Sequence, residues 1–599
     1  MKKGVELKDY LTFKTEARAK YFAEYKTIKE LERISRMPAF RESQLFHIGG
    51  GSNLLFFGTF DGMVLHSAIK GIAEYRKNEE ETYIIAGAGE KWSDLVDWTV
   101  DHGYTGMECM AGIPGEVGAS PVQNVGAFGA EAADVIFSVE CFDTETRKTV
   151  RFTNEECGFA YRDSKFKKEW KNRFFVLRVS FKLQKSPYAE NFRYESIRKF
   201  AESLDHVPTT GEVRDEVLRL RAERLPDVGK VGSAGSFFKN PVIHKNYYAD
   251  EVLRRRSDTP AYRVDDIRMK LPAGWLIEHA GLKGEKEGGA EVYPKNCLVI
   301  ANTGDATPED VKLLAERIER RVNREFGVRL QPEVNYVDSD IRVTVLGTGT
   351  SKGVPEIGCE CRVCRSEDPR DKRLRTSVLV ETMGAKLLID ASPDFRQQAI
   401  ANHIYRIDAL LLTHVHYDHV GGIDDLRPFC LHGDIPVYCR QDVADDLKRR
   451  IDYCFRDKKY PGVPSFDTHI IDREPFLVNG IKVIPIEVKH GQLPIVGYRI
   501  GDFAYVTDCK TIDEGQKEKL RGLEVLILNA LRERDHFAHL TINEAIELIK
   551  ELKPKKAYLT HFCHEAGTDS PLRQALPEGI EPAYDGLSIE IGSGSNEKR

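Results

Sequence analysis

The sequence predicts an α+β chain of two unlike halves: a glycine-loop unit carrying a smaller second domain, then a strand-rich unit built around histidines and cysteines. Three observations carry this reading. At 599 residues the chain exceeds what one hydrophobic core accommodates. Glycine loops without helical or alternating period crowd residues 49–129. Eight of the 12 cysteines lie beyond residue 340, and 11 of the 17 histidines lie beyond residue 400. Polar Val337-Asp-Ser-Asp340 separates the halves, giving expected domains of 1–190, 191–337 and 341–599.

Composition narrows the partners. With 41% hydrophobic and 30% charged residues and a net charge of -6, nothing favours a nucleic acid or a membrane surface. The early lysines lack an apolar segment behind them, and no run of eighteen or more apolar residues occurs. A cytoplasmic protein with small-molecule substrates is expected. Oligomeric state is not encoded legibly. Cys109, Cys141, Cys157 and Cys297 are scattered and read as core filler.

In the first half, an apolar strand runs into Gly49-Gly50-Gly51-Ser52-Asn53. Consecutive N–H groups there can form a nest for an anion such as a pyrophosphate, with a plain glycine turn as the alternative. The G-x-G-x-x-G spacing is missing, so a dinucleotide βαβ unit is disfavoured. Gly106–Gly115 and Gly118–Gly129 read as further loops wrapped over a large flat ligand. Thr307-Pro308 followed by acids starts a long amphipathic helix to Phe326.

Gly49–Asn53, Gly112-Ile113-Pro114-Gly115 and Ser120–Gly129 resemble the flavin-binding loops of UDP-N-acetylenolpyruvoylglucosamine reductases, over roughly residues 8–337. The resemblance implies a VAO/PCMH-type FAD domain plus a substrate domain, with FAD as cofactor, NADPH as reductant and a UDP-sugar enolpyruvate as substrate. Implied cofactor contacts are Gly49, Gly50, Gly51, Ser52, Asn53, Gly112, Ile113, Gly115, Ser120, Asn124, Gly126, Ala127 and Gly129. The family's catalytic arginine, serine and glutamate fall on Arg162, Ser236 and Glu333. Hydride addition to an enolpyruvyl ether builds negative charge toward its carboxylate. An arginine and a hydrogen-bonding glutamate can hold that charge, and a serine can protonate the α-carbon. Tyr194, Arg224 and Asn240 are the implied substrate contacts. A flavin oxidase or a flavin sensor on the same scaffold has no reason to carry the trio.

In the second half, a β-branched strand over Ile341–Leu346 ends in Gly347–Gly353, read as a strand-to-loop turn in preference to a phosphate loop. Cys359-x-Cys361-x-x-Cys364 offers three soft ligands on one loop and predicts a structural zinc. His564 is nominated as the fourth ligand, with Cys563 competing. The strongest motif is His414-x-His416-x-Asp418-His419 after an apolar strand, followed by Gly-Gly. This is the signature of the metallo-β-lactamase fold, an αβ/βα sandwich, and residues 341–592 resemble it. The family's further ligands fall on His490, Asp508 and His561. The resemblance then implies His414, His416 and His490 on one metal, Asp418, His419 and His561 on the other, and Asp508 bridging.

Two close metal ions, zinc or manganese, can activate water and polarise an electrophile. The three cysteines, His564 and Arg373–Ser377 narrow the resemblance to PhnP-like phosphodiesterases, which open cyclic ribose phosphates. His539 is placed like their extra histidine near the leaving group, with helix capping as the alternative. An RNase Z-like nuclease would be expected to carry a tRNA-gripping insertion and a basic face. A non-catalytic regulatory module would be expected to have lost a ligand.

Overall fold

A computed structural model describes residues 1–592 apart from 79, 186–191, 339, 433 and 457–461. The chain divides into two compact units, Met1–Ser339 and Asp340–Arg599.

The first unit opens with a four-stranded sheet in the order Lys2–Glu6, Ala17–Tyr25, Gly58–Ser67, Gln44–Ile48. Ala17–Tyr25 shows why it is a strand: Ala17, Ala19, Phe22, Ala23 and Tyr25 are buried while Arg18, Lys20 and Glu24 face solvent. A five-stranded antiparallel sheet follows, ordered Thr149–Thr153, Ile136–Asp143, Phe174–Gln184, Glu81–Gly87, Ile72–Lys77. The helices Glu195–Glu202 and Thr210–Arg224 bury Ile197, Val213, Val217 and Leu220 in the same core as Trp92 and Phe181. Those helices were expected in the substrate domain; their apolar stripes match this first core instead. The expected boundary at 190/191 falls at residues outside the described set, and residues 195–224 belong with the first core.

The rest of the unit packs the sheet Gly232–Ser236, Val299–Asn302, Ala290–Val292, Lys286–Glu287 against two helices, Ala273–His279 and Pro308–Phe326. The long helix is specified locally. A capping box joins Thr307 and Asp310, Pro308 opens it, and Gly327 in the left-handed region closes it. Val311, Leu314, Ala315, Ile318 and Val322 form its buried stripe. The chain then returns: Asn335–Val337 pairs in parallel with Leu54–Phe56, directly after the Gly49–Asn53 loop. That return carries Glu333 to the glycine loops.

The second unit is two seven-stranded sheets. One runs Phe466–Ile470, Ile435–Cys439, Ala409–Leu411, Ala385–Ile389, Ser377–Thr382, Ile341–Gly347, Ser588–Ile591. The other runs Phe476–Val478, Ile481–His490, Leu493–Ile500, Phe503–Val506, Val525–Asn529, Lys556–Thr560, Ile580–Pro582. The sheets meet through Thr376 Oγ1 with Tyr505 OH at 3.0 Å and Tyr498 OH donating to Leu412 O at 2.6 Å. Helices Phe395–Ala401 and Gln441–Arg450 cover one outer face, and Ile542–Leu552 covers the other. Central strands are therefore buried on both faces, which is why Phe503–Val506 and Val525–Asn529 contain no exposed residue.

Candidate functional site

In the first unit the glycine loops line a cleft with Gly49, Gly51, Ser52, Asn53, Ile113 and Ser120 on its wall. The backbone there tolerates no side chain. A Cβ at Gly51, whose φ is +58°, would stand 1.8 Å from the Tyr10 carbonyl oxygen, and one at Gly50 would stand 3.0 Å from Gly115 Cα. Close approach of this kind packs the glycine loop against Tyr10 and Gly115 beside the cleft. Ser120 spends its hydroxyl on Val117 O at 2.7 Å.

Several of the expected cofactor residues also have partners within the protein. Asn124 is buried and donates to Glu131 (2.7 Å) and Ala160 O (3.1 Å), while its oxygen accepts from Ala133 N (2.8 Å). Gly126-Ala127 forms a small hairpin with Ala130-Glu131, and the Gly126 carbonyl accepts from Arg162. Gly112 lies against Leu218 and Arg221, and Gly129 against Arg193 and Tyr194.

The expected catalytic residues converge. Arg162 sits at φ +55° in a tight turn closed by two Ala160–Asp163 backbone bonds of 3.0 Å. Positive φ at a non-glycine residue is a strained conformation held by its surroundings, here the Gly126 and Asn124 carbonyls. Its Nε lies 3.2 Å from Glu333 Oε1. Glu333 is fixed through its backbone, by Asn53 Nδ2 donating to its carbonyl (3.0 Å) and its N–H donating to Phe237 O (2.7 Å). Phe237 follows Ser236, so the same bond brings the serine strand to the glutamate. Burial raises Glu333 above the ordinary carboxyl value, against the pull of Arg162, Lys167 and Lys239.

The three expected substrate residues differ in placement. Tyr194 is exposed, with its ring 5.1 Å from Phe128 of the loop that holds Arg162. Asn240 Oδ1 accepts from Ala273 N at 2.9 Å, tying down the helix Ala273–His279. Arg224 is exposed at the end of its helix, whereas Arg221, one turn earlier, lies against Gly112 and is lowered to about 10 by burial. Nothing in the local sequence distinguishes Arg221 from Arg224; helical phase relative to the loop decides.

In the second unit the expected ligands gather at the C-terminal ends of strands. Ala409–Leu411 leads to His414 and His416, and a short helix, Tyr417–Val420, presents Asp418 and His419. His490 closes the strand Ile481–His490 rather than following it. Asp508 and His561 follow Phe503–Val506 and Lys556–Thr560, both at positive φ. Metal-range groups form from Asp418, His419, Asp508 and His561, from His414, His416 and Asp508, and from His490, Asp508 and His539. Asp508 is common to all three. It lies 3.3 Å from His419 Nε2, 3.2 Å from His561 Nδ1 and 3.7 Å from His414 Nε2.

His419 Nε2, His561 Nδ1 and His539 Nδ1 are buried without a hydrogen-bond partner among the described residues. Orphaned buried nitrogens beside carboxylates fit metal ions. Burial drives His414 well below the ordinary imidazole value. His419 is raised well above it despite burial, because Asp508, Asp418 and Asp390 surround it. Metal binding to this cluster would displace that proton.

Two supports were not anticipated. Asp390, at φ +61° after Ala385–Ile389, accepts from His419 Nδ1 at 2.7 Å and from Thr413 N and Oγ1. Thr350 Oγ1 lies 3.2 Å from His561 Nε2, which gives the Gly347–Gly353 turn a positioning role. Both orient a ligand imidazole through its second nitrogen. Asp390 had a signal, an acid at a strand end; Thr350 had none.

His539 stands between His490 and His561, with ring centroids 4.5 and 4.9 Å away. The following helix is capped by Thr541, so His539 is not needed for capping. Cys359, Cys361, Cys364 and His564 form a separate group, the three sulfurs 3.1, 3.6 and 3.6 Å from His564 Nδ1. Three thiols and one imidazole suit tetrahedral zinc. Cys563 is outside this group.

The two units thus define a flavin-binding reductase joined to a metallo-β-lactamase-fold hydrolase. Residues 19–153 match the FAD binding domain model, 227–337 match the UDP-N-acetylenolpyruvoylglucosamine reductase C-terminal domain, and 385–562 match the Beta-lactamase superfamily domain. The UDP-N-acetylenolpyruvoylglucosamine reductase of Neisseria gonorrhoeae is 43% identical over 334 residues, 55% of this chain and 96% of that protein. The chain belongs to the UDP-N-acetylenolpyruvoylglucosamine reductase family, with a β-lactamase superfamily hydrolase domain fused to it. An octanoyltransferase of Porphyromonas gingivalis is 46% identical over 254 residues, 42% of this chain and about half (52%) of that protein. A solved diphosphatase from the PhnP family is 40% identical, covering 42% of this chain and 97% of that one at a TM-score of 0.40. No described helix is long and apolar enough to cross a membrane.

Proposed function

We propose that the first unit reduces UDP-N-acetylglucosamine enolpyruvate to UDP-N-acetylmuramate with NADPH as reductant, and that the second hydrolyses a phosphodiester with two metal ions. For the reductase, the supporting observation is the Arg162–Glu333 pair, 3.2 Å apart and tied to the glycine loops through Asn53. Bound FAD supplies the hydride. Arg162 holds the enolpyruvyl carboxylate, Glu333 hydrogen-bonds the oxygen where charge develops, and Ser236 donates a proton to the α-carbon. Tyr194 covers the substrate from the Phe128 side. Flavin that NADPH bleaches, and that the enolpyruvyl substrate then fails to reoxidise, would remove this reading.

For the hydrolase, the supporting observation is Asp508 shared among donor groups. His414, His416 and His490 would hold one metal and Asp418, His419 and His561 the other, with Asp508 within reach of both groups. Zinc or manganese would supply Lewis acidity and an activated water. His539 protonates the leaving oxygen. Burial and the neighbouring His561 lower His539 to about 3. Cys359, Cys361, Cys364 and His564 would hold a structural zinc.

The deciding assay offers the full chain, its metals quantified, a cyclic ribose phosphate, an aryl phosphodiester and an acyl thioester, beside Asp418→Ala. Diester turnover lost in the variant is expected. Metals bound without diester turnover, or turnover of the thioester alone, would overturn the phosphodiesterase assignment.

A further inference from the structure

A short turn, Lys165–Lys167, follows the Arg162 turn and is anchored by Ser164 Oγ donating to Val122 O at 2.5 Å. Its cations have unequal surroundings. Lys165 pairs with Glu169 at 3.7 Å and Lys168 with Asp163 at 2.5 Å, both near solvent. Lys167 Nζ is buried and has neither a hydrogen bond nor an ion pair among the described residues. Burying an ammonium without a partner costs several kcal/mol by the general scale for desolvated charge. Groups so placed concentrate at functional sites.

What surrounds Lys167 is the reductase centre. Burial lowers Lys167 to about 8, so it is a cation below that pH; Lys239 and Lys171 are the neighbouring cations, and Glu333 and Asp163 the carboxylates that act on it. Lys239 reaches the same place because its N–H donates to Gln331 O at 2.9 Å while Glu333 N–H donates to Phe237 O. Glu333 therefore has three cations around it, Arg162, Lys167 and Lys239, with the Tyr161 phenol also nearby. Among the described residues, Arg162 alone is in ion-pair contact with it. Burial favours a protonated Glu333 and the three cations favour an ionised one. On the proposed function Arg162 also binds the anionic substrate, and the other two cations then weigh on which form of Glu333 persists.

We propose that Lys167 is a positioning residue of the reductase, a solvent-inaccessible ammonium that fixes the charge state of Glu333 without touching substrate. This assigns it a separate duty from Arg162, which faces the substrate. Its Nζ is sealed from water, so its influence is electrostatic and passes through Glu333.

The test uses the FAD-loaded full chain and its steady-state pH profile. The break belonging to Glu333 is first identified as the one that Glu333→Gln abolishes. In Lys167→Met that break is expected to move up by about one pH unit, since removing a cation makes the carboxyl harder to ionise. Lys167→Arg should restore it, KM for the enolpyruvyl substrate should change less than about twofold, and Tm should stay level or rise, because an uncompensated buried charge has gone. A profile superimposable on the wild type overturns the proposal. So does a large rise in KM with an unmoved break, which would make Lys167 a substrate contact. A fall in Tm with loss of FAD and no shift in either variant would make its role structural.

Discussion

At the scale of single residues, Arg162 is held by the Asn124 and Gly126 carbonyls, Glu333 by Phe237 O and the Asn53 side chain, and the two by each other, so their geometry should survive conservative change. Glu333→Gln is expected to lower kcat by about a hundredfold or more, the magnitude typical of losing a preorganised group at developing charge. Flavin bleaching by NADPH should persist. Stopped-flow measurement of the two half-reactions separates these effects; equal loss in both would refute the assignment.

His66 gives a pH-dependent case. Its ring nitrogens lie 3.1 Å from Glu24 and 3.1 Å from Glu116, which lines the flavin cleft. Burial alone would lower it, but the two carboxylates outweigh burial and raise it. A histidine raised in the folded state stabilises fully below its ordinary value of about 6.5 and loses that contribution as pH climbs through the raised value. His66→Gln should therefore lower Tm more at pH 6 than at pH 8.5. An equal loss at both values would show that the charge is irrelevant.

At the scale of elements, turns and strand ends carry the chemistry. Gly51→Ala forces a Cβ to within 1.8 Å of the Tyr10 carbonyl oxygen in a left-handed conformation. The conformation alone costs ~1–2 kcal/mol, and the clash adds to it. The variant should purify with less FAD and a lower Tm, read by flavin absorbance and thermal melting. In the second unit, Asp390, Asp508 and His561 each occupy positive φ where a strand ends. That shared conformation turns their side chains toward the cluster at a cost in backbone strain. Asp390→Asn leaves the shape but weakens the carboxylate behind His419, and should reduce metal affinity about 10–100-fold. Competition with a chelator measures this.

At the scale of the molecule, the chain divides between residues 339 and 340 into two compact units, each with its own buried clusters. Units with separate cores unfold separately unless an interface couples them. Calorimetry of the full chain should show two transitions. Removing FAD should lower one and chelating metal the other, because a ligand stabilises only the unit that binds it. One transition that shifts under both treatments would show coupling.

The sequence by itself determined whatever is encoded over short range. The Thr307–Gly327 helix carries its own cap, stripe and stop, and the His414–His419 run sets four donors on one strand end. Cys359, Cys361 and Cys364 are likewise gathered by spacing alone. Tertiary structure decided whatever depends on distant backbone pairing. Glu333 reaches the glycine loops only because Asn335–Val337 pairs with Leu54–Phe56, and His564 rather than Cys563 completes the cysteine group. Residues 195–224 joined the first core because their apolar stripes fit there. Asp390, Thr350, Arg221 and Lys167 acquired their positions the same way. A side chain that works through a distant loop, or through the absence of a partner, leaves no period or motif in its own neighbourhood. Its surroundings exist only after the sheets have closed.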